Sequence, residues 1–171
     1  ASDVYKRQGE YGTANVEKAK ELIEKSGWTM GNDGYYQKDG KTLEIRYVYN
    51  AGSTTNGTIA PIATENLKAA GMKLKVEQVP PTDLFSKYVI PGDYDMTLFG
   101  WNGNPFVTSS VSIWRTDGEQ NFSSVGTEEI DGLLDELQRT TDLDKQTELL
   151  NQIDEKPVSY THLTLPTTPY V

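Results

Sequence analysis

Between Leu43 and Phe99 the chain offers three stretches that suit β-strands, separated by two that suit helices. Leu43-Glu-Ile-Arg-Tyr-Val-Tyr49 places Leu43, Ile45, Tyr47 and Tyr49 on one face, and Met72-Lys-Leu-Lys-Val-Glu-Gln-Val79 alternates apolar with polar. Met96-Thr-Leu-Phe99 is a short apolar run bounded by turn residues, the pattern of a strand buried on both faces. A helix is expected from about Thr58 to Ala70, with Ile62, Leu67 and Ala70 toward the core and Pro61 in its first turn. A shorter one carries Leu84, Phe85, Tyr88 and Val89 behind a Thr82 cap. This order makes two successive βαβ units, which calls for parallel strands with right-handed crossovers. The third strand stops at Gly100-Trp101-Asn102-Gly103-Asn104-Pro105. In open α/β sheets ligands sit outside the carboxyl ends of such strands, so this loop is the first candidate for ligand contact.

The flanks supply the rest of a small α/β unit. Asn15 caps a helix bearing Val16, Ala19, Leu22 and Ile23 on one face, closed by Gly27, with Trp28 packing back onto it. Asp39-Gly40 joins Tyr35–Lys38 to Lys41–Glu44 as a two-residue hairpin. The tyrosines at 35, 36, 47 and 49 read most simply as hairpin and strand surface. Beyond the loop, Ser109 to Trp114 suits a turn of helix whose Val111 and Trp114 pack inward. Thr127 caps a helix with Ile130, Leu133, Leu134 and Leu137 as its stripe, and Asp142 or Thr141 caps a last helix with Leu143, Leu149, Leu150 and Ile153.

The available chemistry excludes much. Net charge is -9 with no basic cluster, so phosphate neutralisation is absent and no nucleic-acid partner is expected. There is no cysteine and a single histidine, His162, which leaves no thiolate chemistry, no Ser-His-Asp triad in the main segment and no expected metal or cofactor site. No apolar run approaches the ~18 residues of a membrane span. Asp93 and Asp95 read as turn caps, and Asn32-Asp33-Gly34 as a plain turn without the alternating ligands of a calcium loop. Trp101 is equally suited to closing the sheet end as a buried aromatic and to presenting a flat platform; Asn102 and Asn104 beside it support the platform.

The ends differ from the middle. Residues 1–8 have no helical or strand period that joins the next segment, and residues 158–171 carry no Asp, Glu, Lys or Arg; both resemble translated adapter sequence. The expected organisation is therefore a foreign tail at 1–8, a partial native domain at 9–157 and a foreign tail at 158–171.

Across that native segment several motifs occur in one order: Asn15-Val-Glu-Lys-Ala-Lys through Ser26-Gly-Trp28, the Gly34-to-Leu43 hairpin, Leu67-Lys-Ala-Ala-Gly-Met-Lys-Leu-Lys-Val76, Gly92-Asp-Tyr-Asp-Met96 through Gly100-Trp101, Asn121-Phe-Ser123 and Glu129-Ile-Asp-Gly-Leu-Leu134. Together they resemble the family 5 solute-binding proteins of bacterial ABC importers, the oligopeptide, dipeptide and nickel binders. The resemblance implies part of the C-terminal lobe of a type II periplasmic-binding-protein-like α/β fold, with a mixed sheet of parallel βαβ units and flanking helices. It implies a periplasmic or cell-surface protein that takes a peptide or other small polar ligand by lobe closure and passes it to ABC permease subunits, meeting the membrane only through the transporter or a lipid anchor. It places ligand contacts at Trp101, Asn102, Gly103 and Asn104. In the family's peptide binders an aspartate shortly after the Gly-Trp pair meets the ligand's α-ammonium; here no acid occurs until Asp117. A blocked peptide, an oligosaccharide and another polar solute therefore stay open as ligands. A carboxylate-based hydrolase and a ligand-sensing receptor with the same fold are the alternatives.

Overall fold

The computed structural model describes residues 15–100, 108 and 111–164, with residues 157–164 followed by their backbone. The chain divides into two compact units, Ala14–Trp101 and Asn102–Val171 together with Ala1–Thr13.

In the first unit α1 (Val16–Lys25) begins where the Asn15 side chain accepts the Lys18 N–H, and ends in a left-handed Gly27 at φ 83°. The N–H groups of Gly27 and Trp28 bond the carbonyls of Glu24 and Ile23, the paired bonds that close a helix with glycine just past its cap. Three short strands follow, β1 (Thr29–Met30), β2 (Tyr36–Lys38) and β3 (Lys41–Thr42), antiparallel in the order β1-β2-β3. The β2–β3 turn is the expected Asp39-Gly40, both at positive φ, which matches the twist of the strands it joins. Strand β1 has too few residues to show a period.

Strand β4 (Glu44–Asn50) pairs in parallel with β5 (Lys73–Val79) over seven residues, from Glu44↔Lys73 to Asn50↔Val79. Leu43 joins the two ladders: its N–H donates to Tyr36 and its carbonyl accepts from Lys73. Between β4 and β5 lies α2 (Thr54–Ala69), capped by Ser53 and closed by Gly71 with the same paired bonds as α1. It starts four residues earlier than expected, because Ser53 is an effective cap that the small polar sequence around it disguised as loop. Pro61 consequently lies inside the helix and removes one internal hydrogen bond. The inward stripe is Asn56, Ala60, Ala63, Leu67 and Ala70, while Ile62 is 57% exposed, contrary to its expected core position.

Two further expectations fail. Tyr36, Tyr47 and Tyr49 are core residues rather than surface, exposed by 3% or less: β4 is covered on both sides, and the hydroxyls of Tyr36 and Tyr47 donate to Glu24 and Asn56. The Met96–Phe99 run forms no strand buried on both faces: one parallel bridge, Tyr47↔Met96, ties it to β4, and Leu98 is 40% exposed. It lies beside β4 and parallel to it, the expected direction, giving the spatial order β5, β4, Met96. The connection from β5 to this segment is α3 (Pro81–Asp83) continuing as a π-helical turn, Leu84–Val89, in which Ile90 bonds back to Phe85. Thr82 does not cap it; Pro80 holds that position.

In the second unit α4 (Val111–Trp114), α5 (Glu128–Arg139) and α6 (Leu143–Thr164) surround a core of Ile130, Leu134, Leu137, Leu149 and Ile153, with Val111, Trp114, Leu133 and Leu150 packed against it. Thr127 and Asp142 cap α5 and α6 as expected, but Leu143 is 75% exposed, since a first-turn side chain there points away from the stripe. Arg115 donates to Asp135 at 2.7 Å, and this bond holds the carboxyl of Asp135 below its usual range. Helix α6 continues across residue 158 to Thr164.

Two measurements on the intact protein check this packing. Gly71 sits at φ 77°, and a Cβ there would lie 2.7 Å from the Tyr36 ring. Gly71→Ala is therefore expected to lower stability by about 2 kcal/mol or more in urea titration. Burial, with a hydrogen bond to Glu24, pushes the Tyr36 hydroxyl up to about 12. A raised folded-state pKa means a contribution intact below pH 10 and lost as pH climbs from 10 toward 12. Absorbance titration should find one tyrosine ionising last, and Tyr36→Phe should remove it.

Candidate functional site

Two successive parallel connections run in opposite directions across the sheet, from β4 to β5 and then from β5 back past β4 to the Met96 segment. The carboxyl end of β4 is thus a topological switch point, where neighbouring crossovers diverge and leave a crevice. There the ladder closes with Ala51 N–H donating to Val79, the chain turns at Gly52 (φ 85°), and Ser53 opens α2. The crevice has a volume of about 550 Å³. Asn50, Ser53, Thr55 and Asn56 line it from β4 and the start of α2, Pro81, Leu84 and Phe85 from the far side, and Leu98, Phe99 and Gly100 from the end of the third segment. Phe85 and Phe99 meet edge to face, ring centroids 5.0 Å apart.

Among the described residues, no Asp, Glu, Lys, Arg or His belongs to that lining. What it offers is amide, hydroxyl and apolar carbon, a surface for an uncharged polar group or a backbone segment. Among the described residues no group of three or more His, Cys, Asp or Glu side chains could hold a metal ion. Among them also, no helix is long and apolar enough to cross a membrane.

Asn56 is the buried polar residue at the base of the crevice, 4% exposed. Its Oδ1 accepts from the Tyr47 hydroxyl at 2.5 Å, and its Nδ2 donates to Ser53 Oγ at 2.9 Å and to the Leu98 carbonyl at 3.1 Å. Burial, with Tyr49 adding to it, raises the pKa of Tyr47, which keeps that hydroxyl a donor.

At the other end of the Met96 segment stands Arg46. Its backbone N–H donates to Asp95 Oδ2 at 2.7 Å, its carbonyl accepts from Asp95 and Met96, and its guanidinium bonds the carbonyl of Asp93 and pairs with the Asp93 carboxylate at 2.8 Å. Burial opposes the charge on Arg46, but Asp93, Glu77 and Asp95 raise its pKa on balance. Asp93 and Asp95 therefore hold the entry to the third segment, in line with their reading as turn residues.

The expected ligand residues Trp101, Asn102, Gly103 and Asn104 lie outside the described residues. The structure follows the chain to Gly100, on the rim of the crevice. Asn50, Thr55, Asn56 and Phe85 were not singled out from sequence. Asn56 stood in an apparent loop, and the one available signal was its three-residue spacing from a capping serine. Phe85 read as part of a helical stripe.

An open parallel sheet with a crevice at its switch point is the architecture on which α/β proteins bind ligands. A model of the bacterial extracellular solute-binding proteins, family 5 (middle part), matches residues 1–123, and the chain belongs to that family. It is 36% identical over 143 residues to the oligopeptide-binding protein OppA of Mycobacterium tuberculosis strain H37Rv, covering 82% of this chain and 24% of that protein. The chain thus spans about a quarter of the length of the curated relatives it matches. Among solved structures it is similar to the oligopeptide-binding protein AppA of Bacillus subtilis in complex with a nonapeptide, with a TM-score of 0.73 at 24% identity over 86% of this chain and 30% of that one. It is also similar to a mannohexaose-bound periplasmic oligopeptide-binding protein of Thermotoga maritima, with a TM-score of 0.77 at 19% identity over 94% of this chain and 32% of that one. These likenesses show the type II periplasmic-binding-protein fold, as the family resemblance implied.

Replacing Arg46 by Met should lower stability by about 1–2 kcal/mol in denaturant titration, since Asp93, Asp95 and Glu77 would then face one another without a cation. The same loss in high salt as in low salt would show that charge pairing is not its basis.

Proposed function

We propose that this chain is a segment of the extracytoplasmic substrate-binding component of an ABC importer. In this reading it captures a peptide or similar small polar solute as two lobes close, and hands it to the permease subunits at the membrane. The observation that carries the reading is the uncharged crevice at the carboxyl ends of β4, β5 and the Met96 segment, in a chain of the family 5 solute-binding proteins. Its amides and hydroxyls match the spaced donors and acceptors of an extended backbone, and its apolar wall accepts a side chain or a sugar face. The OppA and AppA relatives are named for oligopeptide binding.

Binding rather than catalysis suits this lining, because amide and hydroxyl groups hold a solute whereas bond cleavage by carboxylates needs a positioned pair. Trp101, Asn102, Gly103 and Asn104 continue directly from Gly100 at the rim, and we assign them to ligand contact, Trp101 as the platform. An amide at 102 or 104 accepts a hydrogen bond but gives an ammonium no opposite charge, so N-blocked peptides and neutral oligosaccharides suit the site better than free α-amines.

In the intact protein, titration calorimetry with N-acetylated and free nonapeptides and with mannohexaose tests the proposal. Binding of at least one, with acetylated peptide as tight as free peptide, is expected; no heat from any of the three overturns it. Trp101→Ala should weaken that binding about tenfold while the unfolding midpoint moves little. Lost stability with affinity intact would make Trp101 a core residue only.

A further inference from the structure

The parallel ladder between β4 and the third segment stops at one rung. Val48 N–H donates to Met96 O at 2.9 Å and Met96 N–H to Arg46 O at 3.0 Å, the alternation of a parallel pair. In such a pair the carbonyl two residues on, that of Leu98, would next accept from the backbone of Asn50. It accepts instead from the side chain of Asn56, one turn into α2. A buried side-chain amide thus stands in for a rung of the sheet, two residues before Gly100.

The amide is fully committed. Both Nδ2 protons are used, one on Ser53 Oγ and one on Leu98 O, and Oδ1 takes the Tyr47 hydroxyl. Tyr47 is 0% exposed and packs on Tyr49, so its hydroxyl satisfies Oδ1 from a fixed direction, while the two acceptors, Ser53 Oγ and Leu98 O, already set the Nδ2 side. The Ser53 oxygen that receives Nδ2 is also the cap of α2. Strand β4, the first turn of α2 and the exit of the third segment therefore meet on one side chain.

We propose that Asn56 is a positioning residue for ligand capture: by holding the Leu98 carbonyl it sets where Phe99 and Gly100 stand at the crevice. It acts through backbone, through a bond that no other described side chain makes to Leu98. This rests on the ligand-binding reading of the crevice.

The test pairs two substitutions in the intact protein. Asn56→Ala removes the bond to Leu98, whereas Tyr47→Phe removes only the hydroxyl at the far end of the same amide. Both should lower stability in urea titration. Asn56→Ala should also weaken binding of the nonapeptide or mannohexaose about tenfold or more, while Tyr47→Phe leaves it within about threefold. Hydrogen exchange supplies a readout without ligand: amides 98–100 should exchange at least tenfold faster in Asn56→Ala than in Tyr47→Phe. Equal exchange in the two variants, or affinity unchanged in Asn56→Ala, overturns the assignment. If the unaltered protein binds neither probe, the function fails, and the exchange comparison still decides whether Asn56 holds the segment. Should Asn56→Ala not fold, Asn56→Asp replaces it: its carboxylate cannot donate to Leu98 at neutral pH but its protonated form can. With intrinsic rates divided out, protection at 98–100 that returns in acid then supports the role, and protection indifferent to pH overturns it.

Discussion

Strand β4 has to be buried on both faces, and the first unit follows from that requirement. Tyr47, Val48 and Tyr49 are each almost wholly withdrawn from solvent, worth ~1.5–3 kcal/mol apiece if apolar surface alone is counted. Neither ladder groups nor tyrosine hydroxyls tolerate such burial without partners, so β5 must supply one edge, the Met96 segment the other, and Asn56 must meet the hydroxyl beneath α2. A crevice at the strand ends then arises from geometry, because successive connections run in opposite directions on either side of one central strand.

The parts legible in the sequence were those governed by local rules. Asn15 and Thr127 as caps, Gly27 and Gly71 as helix stops, and Asp39-Gly40 as a hairpin turn all depend on residues within five positions of each other. The α5 stripe at Ile130, Leu134 and Leu137 was equally plain, since twelve residues repeat the helical period. The order of the βαβ units was legible for the same reason, and with it the edge of the sheet at which a ligand sits.

What was not legible depended on partners distant in the chain. Tyrosines at 36, 47 and 49 carry a polar atom, and nothing local reveals that Glu24 and Asn56 wait for two of those hydroxyls. The Met96 run reads as a full strand from its composition, yet the length of a ladder is set by what else competes for its carbonyls. Asn56 is that competitor, drawn from a stretch whose serine, threonines and glycines imitate a loop. Ile62 was misplaced because moving a helix start by four residues, with a proline now inside, changes which side chains the sheet can cover.

The neutrality of the crevice bears on the kind of water in which such a surface can work. Charged sites owe part of their grip to fields that dissolved salt shortens to a few ångströms, so their performance drifts with the surroundings. A lining of amide, hydroxyl and phenyl groups has no such field to lose. Salt would act on such a lining through the strength of apolar burial rather than through the shortening of a field.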